Sequence, residues 1–579
     1  MKKLLIAALF AALLPPVAQA QVEKQVEVTK AYVPSLESAE KLSIAPDMTD
    51  TVRMRPEIDY TITPLSLRTT LTTRPIRPAT VTYWEFNRPL PFYLKVGAGY
   101  PLNSVLDFYA SSQNPGTGYV VGYVNHEGRY AEIANEFGVK NNSVRMQNRV
   151  GAAAGKYFGR HVLEGEVSYE NRLYHRYGAF DAAEAAEPDL ASERFRPGSA
   201  VDYGDARVAV RFGDAFQDLS RTNFEVALGG GLFFDHSDAP HYNDRARQSA
   251  FDVSARLARA FGRHTLSAEA GYERQAGQKA LADYNRQQIH AALRYGLSGG
   301  VVRLEVGADY YHDKIEGSES GNYVIPFARL DFNLGTTGLR PFVEVDGSVR
   351  DNGFRSLTRQ NPYVVNATWL DKSSVDYNGR FGIGGSLWHN RFAYRLYAAF
   401  SIRDNHLYWV GSDVGWNAAA DPGPVYWPGA FRPVMARQTA TSFNGEIEYR
   451  PLSRLRLDLG LHGTVYNDDV PLENGSPKFE GNVGIRYEGP RIAFGVSAHL
   501  QSERAWSLFE AAPAELPAGA PETLTAPLAV DLRLDFEWKI TGRIALFAQG
   551  RNLADRRLYR FACYPEYGAN FTVGVKMNF

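Results

Sequence analysis

Between Phe233 and Asp244 the chain reads FFDHSDAPHYND. Asp235, His236, Asp238, His241 and Asp244 offer carboxylate oxygens and imidazole nitrogens, donors that a divalent cation accepts. Their spacing follows no established ligand pattern, and a hydrated acidic loop accounts for the same residues, so no resident metal or cofactor is expected. The other histidines, His312, His406 and His499 among them, are scattered. None stands in a nucleophile motif such as G-x-S-x-G, and no enzyme is expected. A second cluster falls in the stretch 404–438, which carries Tyr408, Trp409, Trp416, Tyr426 and Trp427. These rings could stack a sugar or anchor a partner protein, or the loop could fold over an opening and pack on itself. The one cysteine, Cys563, cannot form an internal disulfide, so no disulfide framework holds this fold.

A third set of polar residues is ordered by alternation. In LAVDLRLDFEWKI (528–540), Leu528, Val530, Leu532, Leu534, Phe536, Trp538 and Ile540 alternate with Ala529, Asp531, Arg533, Asp535, Glu537 and Lys539. Period two puts an apolar row on one face of a strand and charges on the other. The pattern recurs at 302–310, 328–334, 455–462 and 478–488, and it adds Arg303, Glu305, Arg456 and Asp458 to the charged faces. Glu344 and Asp346 join them. The signs are mixed, which suits ion pairs bracing a wall better than a selective ring of one sign.

These strands are joined in a rhythm. Tight connections at 158–161, 261–264, 388–392, 450–454, 488–491 and 539–543 alternate with long ones at 179–196, 235–248, 354–374, 404–438 and 503–526. Tight turns at one rim and long loops at the other describe an antiparallel transmembrane β-barrel of about 22 strands, with short periplasmic turns and long extracellular loops. A lipid-facing surface must be apolar and a wet lumen accepts charge, and in lipid the backbone must pair internally, which forces closure. The rhythm is least regular at 100–142. The formal net charge of −1 implies no general attraction to nucleic acid.

The N-terminus differs. Lys2 and Lys3, an apolar run Leu4–Leu14 and Ala18-Gln19-Ala20 have the order of a secretory signal peptide over 1–20. Residues 21–91 are dense in proline, which forbids long helices and central strands, so an extended segment in the lumen or the periplasm is expected. The barrel then occupies 92–579.

The ending GRNLADRRLYRFACYPEYGANFTVGVKMNF resembles that of TonB-dependent outer-membrane receptors. Asn552-Leu553-Ala554-Asp555 matches an Asn-Leu-Phe-Asp-like element, with Ala554 in place of the usual Phe. Tyr559 and a last strand ending in Phe579 follow. Phe571, Val573, Val575, Met577 and Phe579 form an aromatic-ended row similar to the signal read by the barrel-assembly machinery. Val26-Glu27-Val28-Thr29 is similar to the TonB-contacting stretch near the start of receptor plugs. Residues 21–91 are too few for a full plug, so the chain looks like the plug-poor, receptor-like barrels of Bacteroidota-type bacteria.

The resemblance implies the outer membrane of a Gram-negative bacterium, contact with its lipid, and transport of a nutrient or solute. It makes TonB a candidate partner. The alternative is a non-conducting scaffold that docks a surface lipoprotein or an envelope assembly factor.

Overall fold

A computed structural model describes residues 90–579, except 115, 136–137, 139, 179, 182–197, 239–244, 336–337, 412–425, 428, 509 and 511–522. The expected signal peptide and the Val26–Thr29 stretch lie outside the described residues, as do nearly all of 21–91, His241, Asp244 and Trp416.

Twenty-two strands form one antiparallel sheet that closes on itself. They are β1 Phe92–Tyr100, β2 Asn103–Asn114, β3 Gly118–Arg129, β4 Arg145–Phe158, β5 His161–His175 and β6 Ala200–Asp214. β7 Asn223–Asp235, β8 Arg247–Phe261, β9 His264–Gln278, β10 Asn285–Ser298, β11 Val302–Ile315 and β12 Gly321–Phe332 follow. Next come β13 Arg340–Arg350, β14 Ser374–Leu387, β15 Phe392–Gly411, β16 Phe431–Leu452 and β17 Leu455–Asp468. The last are β18 Phe479–Glu488, β19 Ile492–Gln501, β20 Ala529–Lys539, β21 Ile544–Arg551 and β22 Asn570–Asn578. Consecutive strands are neighbours throughout, and β22 returns to β1. At that seam the Phe92 and Phe579 amides each donate to the other's carbonyl at 3.0 Å, and their rings stack. Phe571, Val573 and Phe579 are exposed on the outer face of the seam.

The alternation sorts as physics requires. Leu528, Phe536, Trp538 and Ile540 lie exposed on the outside, while Asp531 is buried on the inside. Inward charges pair across strands, Arg551 with Asp535 at 3.1 Å and Lys576 with Glu537, and along β20, Arg533 with Asp531 at 2.6 Å. Glu344 takes three arginines, Arg329 at 2.7 Å, Arg395 at 3.0 Å and Arg380 at 3.2 Å, and Arg380 also holds Asp346 at 2.8 Å. An apolar exterior and an ion-paired interior make this an outer-membrane type of barrel. Among the described residues no helix is long and apolar enough to cross a membrane. Aromatic rings mark the tight-turn rim, where Trp388, Phe392 and Tyr449 cluster and Tyr487 stacks on Phe494.

Two features depart from the sequence reading. The irregular rhythm near residue 100 arises because β1 and β2 are joined at the long-loop rim by Pro101 and Leu102 alone. In the expected loop 404–438, β15 continues to Gly411 and β16 begins at Phe431. These strands have 20 and 22 residues, against 9 for β1 and β22, so one side of the wall stands much taller than the seam.

Candidate functional site

The long loops pack on one another across the mouth. Residues 351–373 leave β13 and turn into the helix α1, Phe354–Gln360. One face of α1 carries Phe354, Leu357 and Thr358, all buried. Its other face carries Arg355 and Arg359, which reach the wall at β5 and β6. Arg355 grips Asp205 at 2.8 and 2.9 Å, and Arg359 holds Asp205 at 2.7 Å and Glu170 at 2.9 Å. The wall answers with Arg172, which donates to the Thr358 carbonyl at 3.2 Å, and with Tyr203, whose hydroxyl donates to the Pro362 carbonyl at 2.9 Å. A loop rooted between β13 and β14 is thereby moored to strands on another part of the ring.

The last loop, 552–569, meets it there. Asn552 turns the chain inward with φ of 47°. Its amide side chain donates to the Arg556 and Tyr567 carbonyls at 2.7 and 3.0 Å, and Asp555 accepts the Ala569 amide at 2.9 Å. The Asn-Leu-x-Asp element is thus the hinge of a folded loop. That fold lays Tyr564 flat on Tyr363, with centroids 3.7 Å apart. Tyr564 also donates to the Gly429 carbonyl, and Tyr177 donates to the Pro565 carbonyl at 2.8 Å. Tyr177, Tyr203, Phe233, Phe354, Leu357, Tyr363, Phe431, Trp506, Tyr559, Cys563 and Tyr564 form one buried cluster. We refer to this assembly as the cap.

Beneath Tyr363 lies a cavity of about 30 Å³, lined by Arg145, Arg359, Arg560, Glu566 and tyrosines 174, 177 and 564. A volume of that size holds about one water. Arg145 and Glu566 close it with an ion pair at 3.3 Å. Burial pushes the Tyr177 and Tyr363 phenols up, and pushes Tyr567 up to about 12. Burial also raises the Asp351 carboxyl at the root of the cap, against the pull of Arg286. Arg145 and Arg359 at this cavity are already paired, with Glu566 and with Asp205 and Glu170, so they brace the cap.

Asp235 is buried and occupied: it accepts from the Ser237 amide and from the Asn366 side chain, each at 2.9 Å, and so ties the cap to β7. His236 stacks against Phe234. Among the described residues no group of three or more His, Cys, Asp or Glu side chains stands in position to hold a metal. Tyr408 is buried in β15 and donates to Asp468 at 2.6 Å, and Trp409 packs against the cap's cluster. Both rings stand in the wall strand β15 and not in a loop. The Tyr426–Trp427 backbone pairs with Phe180–Asp181. Cys563 is fully buried, not presented on the surface. The cap's arginines, Arg355 and Arg359, escaped the sequence reading. Their signal, an amphipathic turn inside a Pro- and Asn-rich loop, is a single helical turn or two and gives no sustained period.

Comparison with known proteins adds the fold. No protein-family model matches the chain, and no curated protein matches it in sequence. Solved structures do match. The FrpB iron transporter from Neisseria meningitidis is 11% identical with a TM-score of 0.65, over 85% of this chain and 82% of that one. The siderophore receptor PirA from Acinetobacter baumannii is 10% identical with a TM-score of 0.64, over 86% and 81%. The outer-membrane ferripyoverdine receptor of Pseudomonas aeruginosa is 12% identical with a TM-score of 0.60, over 86% and 72%. The fold resembles that of TonB-dependent receptor barrels, as Asn552–Asp555 and Phe579 suggested.

Proposed function

We propose that this chain sits in the outer membrane of a Gram-negative bacterium and moves a solute through its lumen, with the cap as its outer gate. The observation that carries this reading is a charge-lined barrel of 22 strands whose described long loops pack into one buried cluster at its mouth. The similar structures, named as transporters and receptors, support it. In this reading residues 21–91 act as a reduced plug, Val26–Thr29 engage TonB, and the Phe571–Phe579 row serves assembly into the membrane.

The cap selects and the lumen passes. A ligand arriving from outside meets the exposed Arg560 first, with the tyrosines buried behind it. Binding energy there is set against the packing of Tyr363 on Tyr564, so a ligand opens the mouth only if it binds the open form better. Inside, the mixed and mutually paired charges give a polar path with little preference for either ionic sign.

The depth of the cap's packing favours a second reading: a barrel that conducts nothing and presents its loops to a surface lipoprotein. Planar-bilayer conductance separates the two. The full chain, a chain lacking about residues 21–85, and that truncation carrying Tyr363→Ala would be compared. Transport predicts that conductance appears once plug and cap are both broken. If none of the three conducts although all insert, the scaffold reading replaces it.

A further inference from the structure

A larger cavity lies on the long-loop rim, walled by two rim turns and the cap loop. The first turn, 279–284, joins β9 to β10 through a short 3-10 helix, Lys279–Leu281. Leu281 and Tyr284 are fully buried and anchor the turn, which leaves Ala282 and Asp283 exposed. The second turn, 316–320, joins β11 to β12, and Gly317 takes φ of 80° there, a conformation that glycine accepts without strain. The Glu316 amide donates to the Asn285 carbonyl at 2.8 Å, which holds the two turns side by side. The third wall is Trp369 of the cap loop 351–373. Its neighbour Leu370 donates its amide to the Asn352 carbonyl at 3.1 Å. The indole lies 5.5 Å from the Tyr284 ring, tilted by 52°. Tyr284 is fixed in turn, its hydroxyl donating to Gln275 at 3.0 Å.

The cavity measures about 390 Å³, within the range of about 300–1,000 Å³ of small-molecule sites. Asp283, Asn285, Glu316, Ser318 and Trp369 line it, and the small residues Ala282 and Gly317 complete the rim. It shares no lining residue with the small cavity beneath Tyr363. Among the described residues neither the Asp283 nor the Glu316 carboxylate has an ion-pair or hydrogen-bond partner, and no basic side chain lines the cavity. Arg286, close by in sequence, is turned away: it is buried and paired with Asp313 at 2.8 Å and Glu273 at 3.5 Å. Lys279, Lys314 and Lys372 are exposed and stand outside the lining.

These walls sort the ligands. An anion is repelled by both carboxylates. A bare metal ion lacks its ligands, since among the described residues no three suitable side chains stand together. A neutral polyol stacks on an indole, but it takes water from two carboxylates and returns no charge. An organic ammonium meets every wall. Its positive end pairs with Asp283 and Glu316, and its alkyl groups lie on the Trp369 face, where the ring quadrupole attracts a cation. We propose that this cavity is a binding site for a small organic ammonium ion. The site spans the wall and the lid, and it goes beyond the transport reading: the ion binds whether or not the lumen conducts.

Equilibrium dialysis of the full chain, in micelles of a neutral polyoxyethylene detergent, tests this with choline and benzyltrimethylammonium as probes. The alcohol 3,3-dimethylbutan-1-ol has the shape of choline without its charge, and methyl glucoside stands for a neutral sugar. The expected result is saturable binding of both cations, with the alcohol at least about tenfold weaker than choline. Asp283→Asn combined with Glu316→Gln, placed on exposed turns, should keep the barrel's heat-modifiable gel mobility. It should weaken both cations about tenfold and leave the alcohol unchanged. Trp369→Leu should weaken the cations as well, and Trp369→Phe should retain most of their binding, which separates the ring face from the folding of the lid. The absence of saturable cation binding would overturn the proposal. So would equal binding of choline and the alcohol, preference for methyl glucoside, or cation binding untouched by the double substitution.

Discussion

The wall and the cap are built by different kinds of information. Each wall strand is specified within itself, by alternation and by a turn two to four residues away, and its backbone pairs with the strand next in sequence. The cap is specified by residues far apart in the chain: Arg355 with Asp205, Tyr363 with Tyr564, Tyr177 with Pro565. The wall tolerates the loss of any one side chain, because its ladders are backbone. The cap depends on a few rings and arginines. A barrel can therefore keep its wall while its lid opens, which is what a gate requires.

That contrast can be broken, and the largest effect is expected in the cap. Tyr363→Ala removes the ring that stacks on Tyr564 and packs against Phe561, and should cost the cap about 3–5 kcal/mol. Limited proteolysis should then cut within 351–373 and 552–569 while the barrel keeps its heat-modifiable gel mobility. Loss of both together would mean that wall and cap are one cooperative unit. Next is the wall. Leu534→Arg sets a charge on the lipid face of β20 and should cost about 2–4 kcal/mol near the midplane. It should lower the yield of folded barrel in liposomes without exposing cap loops in the molecules that fold.

A smaller effect should come from alkali. Burial raises the Tyr177 and Tyr363 phenols, and Tyr567 to about 12. The folded cap then holds protons that the open form releases from about pH 10 upward. Their contribution is intact below pH 10; the loss begins small there and grows as pH rises through the raised values. Proteolysis of the cap should accelerate between pH 10 and 12, with phenolate absorbance rising alongside it. Rapid ionisation of all these phenols at pH 10 with no change in cleavage would contradict the burial argument. The smallest effect is expected from Arg211→Met, which breaks half-exposed lumen pairs with Glu164 and Glu225, at no more than about 1 kcal/mol. Urea titration of the reconstituted barrel would show it.

The same contrast explains what the sequence revealed. Residues 528–540 announce a strand, its two faces and its membrane, because period two is a local signal that lipid enforces without exception. The strand count followed from the same rule. The cap was illegible because its partners share no period. Tyr363 sits in NPYVVNATW and Tyr564 in ACYPEYG, and neither stretch reveals that the two rings meet. Tyr408 and Trp409 read as loop residues because an irregularity between Arg403 and His406 interrupts the alternation of β15. Asp235 looked like a ligand because a carboxylate that holds an asparagine of a distant loop has the same sequence appearance as one that holds a cation. Asn552 was visible through its resemblance, but its work as a hinge, made of hydrogen bonds within 552–569, is a matter of geometry.

The central claim, that a separately breakable cap closes an intact barrel, has a natural reporter. Cys563 is the chain's one cysteine and is buried within the cap's cluster. Its labelling rate with a membrane-impermeant maleimide, applied to proteoliposomes of the full chain, measures closure at the mouth whatever residues 21–91 do. The account predicts labelling at least about a hundredfold slower than an exposed thiol, rising steeply in Tyr363→Ala while the barrel's gel mobility stays folded. Labelling of the unaltered chain at the rate of an exposed thiol, with the barrel intact, would contradict it.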